Sequence, residues 1–463
     1  MIALILTSCS VGPKYKTPPA PVPPNFKETA GWKQAQPQDD VLREKWWELF
    51  GDPQLNALEE QVNVSNQTIA VAEAQFRAAR AAIGIVRSGL FPELNVGATA
   101  LTSRTSGSSN RFSYVLPLQL SYEADVWGRI RQSVEAQVAG AQASAADIET
   151  VRLSIHAELA FDYFALRGLD EQQRLYDATV TAFEQALQLT TNRYNQGVVS
   201  GVDVAQAQTQ LETARAQWID LGVARALLEH AIATLIGEPP VELTIASGTL
   251  VSEPPAIPIG LPSDLLERRP DIASAERRVA LANAQVGVAT AAFFPTITLN
   301  GTGGLQSSGL GGLLSFPSRF WSIGPSLVQT IFDAGQRKSI KAAALAAYDS
   351  TVATYRQSVL TAFQEVEDNL AALRILAEEN AQQDIAVQSA QRSLDLANNR
   401  YRGGVTSYLE VITAQDALLE NQRTAIGIRV RRMAASVLLV KGLGGGWSAS
   451  QIPSSKTLVE NNH

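Results

Sequence analysis

Asn192-Arg193-Tyr194-Asn195-Gln196-Gly197-Val198-Val199-Ser200 decides the reading of this chain, because Asn399-Arg400-Tyr401-Arg402-Gly403-Gly404-Val405-Thr406-Ser407 repeats it a constant 207 residues later. The echo continues beyond the motif: Val204, Ala207-Gln208 and Leu211 return as Val411, Ala414-Gln415 and Leu418. Upstream, Ile69-Ala70, Ala72-Glu73, Ala79, Ala81, Gly84 and Phe91-Pro92 return as Ile272-Ala273, Ala275-Glu276, Ala282, Ala284, Gly287 and Phe294-Pro295, 203 residues on. The chain therefore reads as a tandem duplication of a unit of about 200 residues, and its function must use that unit twice.

Composition narrows the field. Charged residues make up 18% of the 463, and the net charge is −7. An acidic chain without a basic patch argues against nucleic acid as a partner. No run of 18 or more apolar residues reads as a transmembrane helix. The single cysteine, Cys9, excludes a disulfide framework and a thiolate metal cluster. Ile5-Leu6-Thr7-Ser8-Cys9 resembles the bacterial lipoprotein box, which implies a covalent lipid on Cys9, with Ser10 suiting outer-membrane sorting. The preceding segment is short for a signal and lacks a basic start. Residues 11–40 carry Pro13, Pro18, Pro19, Pro21, Pro23, Pro24 and Pro37 and read as an extended tether.

Periodicity then changes twice in each unit. From Pro53 to Phe91 the apolar residues Leu55, Leu58, Val62, Ile69, Ala72 and Phe76 recur at helical steps. Leu94, Val96, Ala98 and Ala100 then alternate with Asn95, Gly97 and Thr99, and a Ser/Gly/Asn turn follows. Phe112, Tyr114, Leu116, Leu118, Leu120 and Tyr122 next alternate with Ser113, Val115, Pro117, Gln119 and Ser121. That pattern is a strand with one apolar face, aromatic near both ends. Around 10 tilted residues cross a hydrocarbon layer of ~25 Å, and aromatic ends suit its interfaces. The second unit repeats the design, with Trp321, Ile323, Pro325 and Leu327 on one face of its second strand. Strands are expected at about 94–103, 112–122, 296–305 and 320–330.

Each second strand leads to a glycine, Gly128 or Gly335, and then to a stretch free of proline, 128–194 or 335–401. At ~1.5 Å per residue each is a rod of about 100 Å. The repeated motif stands at the far end, where Gly197 and Gly404 suit a left-handed helix cap and Ser200 and Ser407 can cap the next helix. Return rods are expected at 202–236 and 407–443, completed by Pro262 to Phe294 in one unit and Pro53 to Phe91 in the other. Four membrane strands cannot close a barrel, and an open edge is not tolerated in lipid, so several chains must share one.

These residues resemble the outer-membrane efflux proteins, the family that includes TolC and OprM, and most closely its NodT-type lipoprotein branch. The resemblance rests on Cys9, on Trp46-Trp47 with Phe50-Gly51-Asp52-Pro53, on the two tip motifs, and on Leu261-Pro262-Ser263-Asp264-Leu265-Leu266-Glu267-Arg268-Arg269-Pro270-Asp271-Ile272. It implies a mixed α/β membrane protein: a homotrimer whose twelve-stranded β-barrel, four strands per chain, stands in the outer membrane and continues into a long periplasmic α-helical barrel with a mixed equatorial belt. The chain then divides into signal and lipobox 1–9, tether and equatorial segment 10–51, first repeat 52–260, second repeat 261–443 and C-terminal tail 444–463. The implied partners are a periplasmic adaptor, an inner-membrane RND-type pump and outer-membrane lipid.

No catalytic constellation stands out, and the chain reads as no enzyme, with no cofactor beyond the lipid on Cys9 and no metal site. His156 and His230 lie alone in helical stretches, and neither Gly303-Gly304 nor Gly311-Gly312 has the strand–loop–helix setting of a phosphate loop. A conduit works by constriction and charge instead. The resemblance places a periplasmic gate near the second tip, with Arg400 and Tyr401 holding helices together and Leu409 as an apolar plug. Thr413 stands where family members often carry aspartate, which leaves Glu410, Asp203 or, on the first rod, Asp162 for an acidic ring. Arg193, Gly197, Val198, Ser200, Gly404, Val405 and Ser407 resemble adaptor-docking tips. The expected function is a passive exit duct for drugs or other small molecules. The alternatives are a type I protein-secretion or metal-efflux duct and, from another class, a structural coiled-coil lipoprotein.

Overall fold

The computed structural model describes residues 11–28, 45–107, 109–251, 253–257 and 262–460. Cys9, residues 29–44 of the tether, Leu261 and His463 lie outside the described residues. In chain order the elements are α1 (Pro53–Ser65), α2 (Gln67–Ser88), β1 (Glu93–Val96), β2 (Thr99–Ser103), β3 (Arg111–Glu123), α3 (Arg129–Asn195), α4 (Gly201–Leu235), α5 (Leu265–Arg268), α6 (Pro270–Ala291), β4 (Thr296–Ser307), β5 (Arg319–Val328), α7 (Gln336–Arg402), α8 (Tyr408–Gly442) and α9 (Ser455–Glu460). The two rods are each 67 residues, and the two return helices are each 35. The repeated sequence thus folds into repeated elements of equal length.

One antiparallel sheet holds all the strands among the described residues, in the order β1/β2, β3, β4, β5. The expected strand 94–103 is interrupted at Gly97 and Ala98, though β1 and β2 keep one register along β3. The interruption faces Pro117, which has no N–H to donate; Gly97 instead donates to the Pro117 carbonyl at 3.0 Å. Each hairpin is therefore preserved, and β3 and β4 join the two repeats along ten paired residues.

The rods pack side by side. Next to the sheet, α2, α3, α6 and α7 form a layer; toward the tips, α4 and α8 take over from α2 and α6, giving α4, α3, α8 and α7. The expected helix from Pro53 to Phe91 is broken at Asn66, whose extended backbone ends α1. Its carboxamide oxygen accepts from the Ile69 N–H at 2.9 Å, an N-cap for α2, while its amide donates to the Leu235 carbonyl at 2.7 Å. Likewise α6 starts at Pro270 rather than Pro262, because proline fits the first helical position and disfavours helix just before it.

Halfway along the rods lies the main core, with Trp46, Trp47, Phe50, Leu55, Tyr163, Phe164, Ile232, Val279, Val366 and Leu439 all buried. This belt is built from helices and irregular chain, with no strand among the described residues. Ile245, Leu250 and Ile257 of the inter-repeat linker pack into it. Buried Arg167 fastens that linker, donating to the Ala246 carbonyl, Asp170, Gln54 and the Tyr163 hydroxyl.

The first and last described segments, 11–28 and 443–460, are packed against the helices. The tether reading is corrected for residues 11–28. Val11 N–H donates to the Trp127 carbonyl at 3.3 Å, Asn283 to the Pro13 carbonyl at 3.0 Å and Arg356 to the Pro19 carbonyl at 3.2 Å, and Glu28 pairs with Arg374 at 2.8 Å. Proline supplies carbonyls without competing N–H groups, so an extended segment can serve as acceptor along a helical groove. In the C-terminal tail, α9 sets Leu458 against Ile83, Val138 and Ala141, and Arg87 donates to the Val459 carbonyl at 2.8 Å.

Candidate functional site

Register decides what the sheet presents. Residues directly opposite one another share a face. Leu118 faces Gly303, which faces Trp321; Leu120 faces Gly301, which faces Ile323; Tyr122 faces Leu299, which faces Pro325. Leu94 and Val96 stand opposite Leu120 and Leu118 on the other side. Phe112, Tyr114, Leu116, Leu118, Leu120, Tyr122, Trp321, Ile323 and Leu327 therefore gather on one face of all the strands. The opposite face carries Asn95, Ser113, Gln119, Ser121, Asn300, Thr302, Ser322 and Ser326. Trp321 is 80% exposed and Leu327 66%, a cost in water that lipid removes. Among the described residues, the outer edge of β1/β2 and the outer edge of β5 pair with nothing.

The opposite end of the molecule holds the two tips. Gly197 and Gly404 take φ of +74° and +73°. Val198 N–H donates to the Arg193 carbonyl and Gly197 N–H to that of Tyr194; Val405 to Arg400 and Gly404 to Tyr401 repeat the pattern. Both rods therefore end in Schellman caps, which leave Val198 and Val405 exposed at the apex. Beyond the turn the repeats part company. Ser200 caps α4, its hydroxyl accepting from the Val202 N–H while Asp203 accepts from the Ser200 N–H. Ser407 makes no such side-chain cap on α8.

Between the tips lies a small aromatic cluster. Tyr401 and Tyr408 are buried with ring centroids 5.2 Å apart. Burial, with Tyr401 beside it, pushes the Tyr408 phenol up to about 12. Arg193 crosses from the first tip to the second, its guanidinium 4.6 Å from the Tyr401 ring centre and 2.8 Å from the Tyr401 carbonyl. Arg400, its counterpart by repeat, instead pairs with Glu410 of its own hairpin at 3.2 Å. Leu409 is 57% exposed, on the same helix face as Thr413, Asp416 and Glu420.

The expected gate residues are thus sorted by the fold. Arg400, Tyr401, Leu409 and Glu410 come together, and Arg193 joins them rather than serving only at the docking apex. Asp203 is engaged in capping α4, and Glu410 is paired with Arg400. Asp162 lies apart from them: it sits 33 residues before the end of α3, roughly 50 Å away at the helical rise. There burial, with Glu158 adding to it, raises its carboxyl to about 6. Of the acids on the Leu409 face, Asp416 is raised by burial and accepts from Gln210 at 3.3 Å. Its signal in the sequence was the spacing of 409, 413, 416 and 420 along one helical face. His156 is buried between Glu59 and Asn63, at 2.6 and 3.2 Å, and His230 is exposed.

Comparison with known proteins agrees with this geometry. The family description "Outer membrane efflux protein" matches residues 58–238 and 261–445. The toluene efflux pump outer membrane protein TtgC of Pseudomonas putida is 33% identical over 457 residues, covering 96% of this chain and 94% of that protein. The pyoverdine export outer membrane protein OpmQ of Pseudomonas aeruginosa is 32% identical over 464 residues, covering 96% and 97%. Among solved structures, the outer-membrane channel OprN superposes with a TM-score of 0.88 at 32% identity, over 95% of this chain and all of that one. The CmeC outer membrane channel of Campylobacter jejuni gives 0.89 at 25% identity, over 98% of both. The chain belongs to the outer membrane efflux protein family.

Proposed function

We propose that this member of the outer membrane efflux protein family is one third of a passive exit duct, through which an inner-membrane RND-type pump and a periplasmic adaptor expel small molecules. The carrying observation is the sheet: one face apolar, the other polar, two edges unpaired, and two 67-residue rods leaving it together. Lipid offers no hydrogen bonds to an open edge. Three copies, each joining β5 to the next chain's β1/β2, give twelve strands with the polar face inward. The helical layer, likewise unpaired at its α2/α4 edge and its α7 edge, closes below into a second tube. Family relatives named for toluene and pyoverdine support export of small molecules as the task.

Two finer assignments belong to this reading. Cys9 carries a lipid in the membrane, supported by the position of Val11, which is tied to Trp127 at the foot of the sheet. Gly197, Val198, Ser200, Gly404, Val405 and Ser407 receive the adaptor, since the exposed turns are small enough for a partner helix to approach the backbone. Recording single channels in planar bilayers tests the whole: we expect a mostly closed, cation-preferring pore that opens when Tyr401 and Leu409 are replaced by Ala. A purified protein that conducts nothing in either form would refute the duct and favour a solid coiled-coil lipoprotein.

A further inference from the structure

The sheet is electrically polarised along its strands. No acidic residue occurs between Glu93 and Glu123 or between Glu276 and Asp333, so the described strands are free of carboxylates except at Glu93 and Glu123, which end β1 and β3 on the helical side. At the helical end, the charges are balanced in ion pairs: Arg129 with Glu123, Arg131 with Asp125 and Arg337 with Asp333. At the far end the strands and loops carry Arg104, Arg111 and Arg319 against no carboxylate. Three like charges on one rim of a chain whose net charge is −7 form a local field of opposite sign to the rest.

Arg319 is placed to use that field in the membrane. It opens β5 opposite Leu305, which faces Leu116, so it lies on the apolar face. Its guanidinium carbon sits 4.4 Å from the centre of the Phe316 ring, and Trp321 follows on the same face. Descending from the rim, the face reads cation, aromatic, aliphatic. That is the profile of a lipid with an anionic head above its acyl chains. A phosphate fits the fork of arginine. A zwitterionic head offers a phosphate too, but its ammonium group meets no carboxylate on this rim and is repelled by the arginines.

We propose that Arg319, with Arg104 adding to the positive charge of the rim, binds the phosphates of the glycolipid that fills the outer leaflet; Arg111, opposite Ser103 and on the face of Ser113, takes no part. The inference rests on the duct reading above, which sets the apolar face in lipid and the helix-free rim outermost.

The test uses the purified full-length protein and counts bound lipid by native mass spectrometry. Bis-phosphorylated lipid A is compared with its dephosphorylated form and with phosphatidylglycerol. We expect the phosphorylated glycolipid to bind at least about tenfold more tightly than the other two, and R319Q to lose about that factor. R319K should retain part of it, and R104Q/R319Q should abolish the preference. Equal binding of the phosphorylated and dephosphorylated forms by the unaltered protein overturns the proposal without recourse to any variant. Phosphatidylglycerol binding as tightly as lipid A overturns the glycolipid assignment. Bilayer recordings on the same samples separate the two levels: pores without lipid discrimination sink this inference alone, whereas no pores sink the duct and the inference with it.

Discussion

Arg193 lies over the ring of Tyr401 at 4.6 Å and donates to the carbonyl of the same residue at 2.8 Å, tying the first helical tip to the second. The carbonyl belongs to the last turn of α7, where acceptors are left over and the helix dipole is negative. A cation is favoured there twice, by the helix end and by the aromatic face.

R193Q removes the charge and leaves both tip turns intact. Losing the ring contact and part of the hydrogen bond is worth about 1 kcal/mol per chain, roughly a fivefold shift in population. The open fraction in single-channel recordings should rise accordingly. Y401F, which keeps ring and carbonyl, should behave as the parent does; a pore equally closed in R193Q and the parent would remove Arg193 from the gate.

The two faces of β3 should respond oppositely to the same substitution. Leu118 shares the apolar face with Gly303 and Trp321, and Gln119 shares the polar face with Asn95 and Thr302. L118R sets a cation in hydrocarbon at about 2–4 kcal/mol and should prevent membrane insertion. Q119R should insert and shift ion preference toward anions in reversal-potential measurements. Normal insertion of both variants would mean that this face never meets lipid.

Two glycines with the same backbone sign should differ in what alanine costs. Gly404 at φ +73° has nothing within 4 Å of the site of a Cβ, so G404A costs only the left-handed backbone, about 1–2 kcal/mol. Gly237 at φ +74° would bring its Cβ to 2.2 Å from the Ser65 carbonyl oxygen, where the α1–α2 junction meets the end of α4. G237A should add to the backbone strain about 1–3 kcal/mol of forced displacement. Thermal unfolding should rank the parent above G404A and G404A above G237A.

Glu59 and His156 form a fully buried pair, 2.6 Å apart. Burial, with Glu60 adding to it, raises Glu59 well above its ordinary 4.5. Burial, and then Arg152, lowers His156 from 6.5 to about 4. A raised carboxyl contributes stability that is complete below 4.5 and declines as pH climbs toward its folded value. A lowered histidine contributes stability that is present above 6.5 and lost on the way down to about 4. Above 6.5 the histidine no longer contributes a slope, and within this pair only the carboxyl can still change. E59Q never ionises and keeps a donor for the histidine. Its melting temperature should therefore gain on the parent's as pH rises from 6.5 through the raised value of the Glu59 carboxyl; an identical pH slope for the two would place the proton elsewhere.

Much of this architecture was legible beforehand. The 207-residue echo located both tips, because a helix end needs the same glycine each time it is built. Alternation located the hairpins, since a half-buried strand has no other way to write its two faces. Boundaries failed where a local hydrogen bond outranked periodicity. Asn66 divides one helical pattern with an N-cap, and Pro117 interrupts the neighbouring strand by lacking an N–H. The seated run from Val11 to Glu28 was read as a tether because proline-rich composition reports the absence of a core, not the presence of a groove beside it.

Sequence alone determined the repeated unit, the period of each element and the chemistry available at each position, all of which are local properties of the chain. Only the tertiary structure decided partnership. Arg193 and Arg400 occupy the same place in their repeats, yet one crosses to Tyr401 and the other folds back onto Glu410. Asp162 and Asp416 are both acidic residues in helices, and only the packing puts one in the belt and the other by the Leu409 face. A duplicated sequence makes two equal units, but once they lie side by side each meets a different neighbour, and contact energies depend on neighbours.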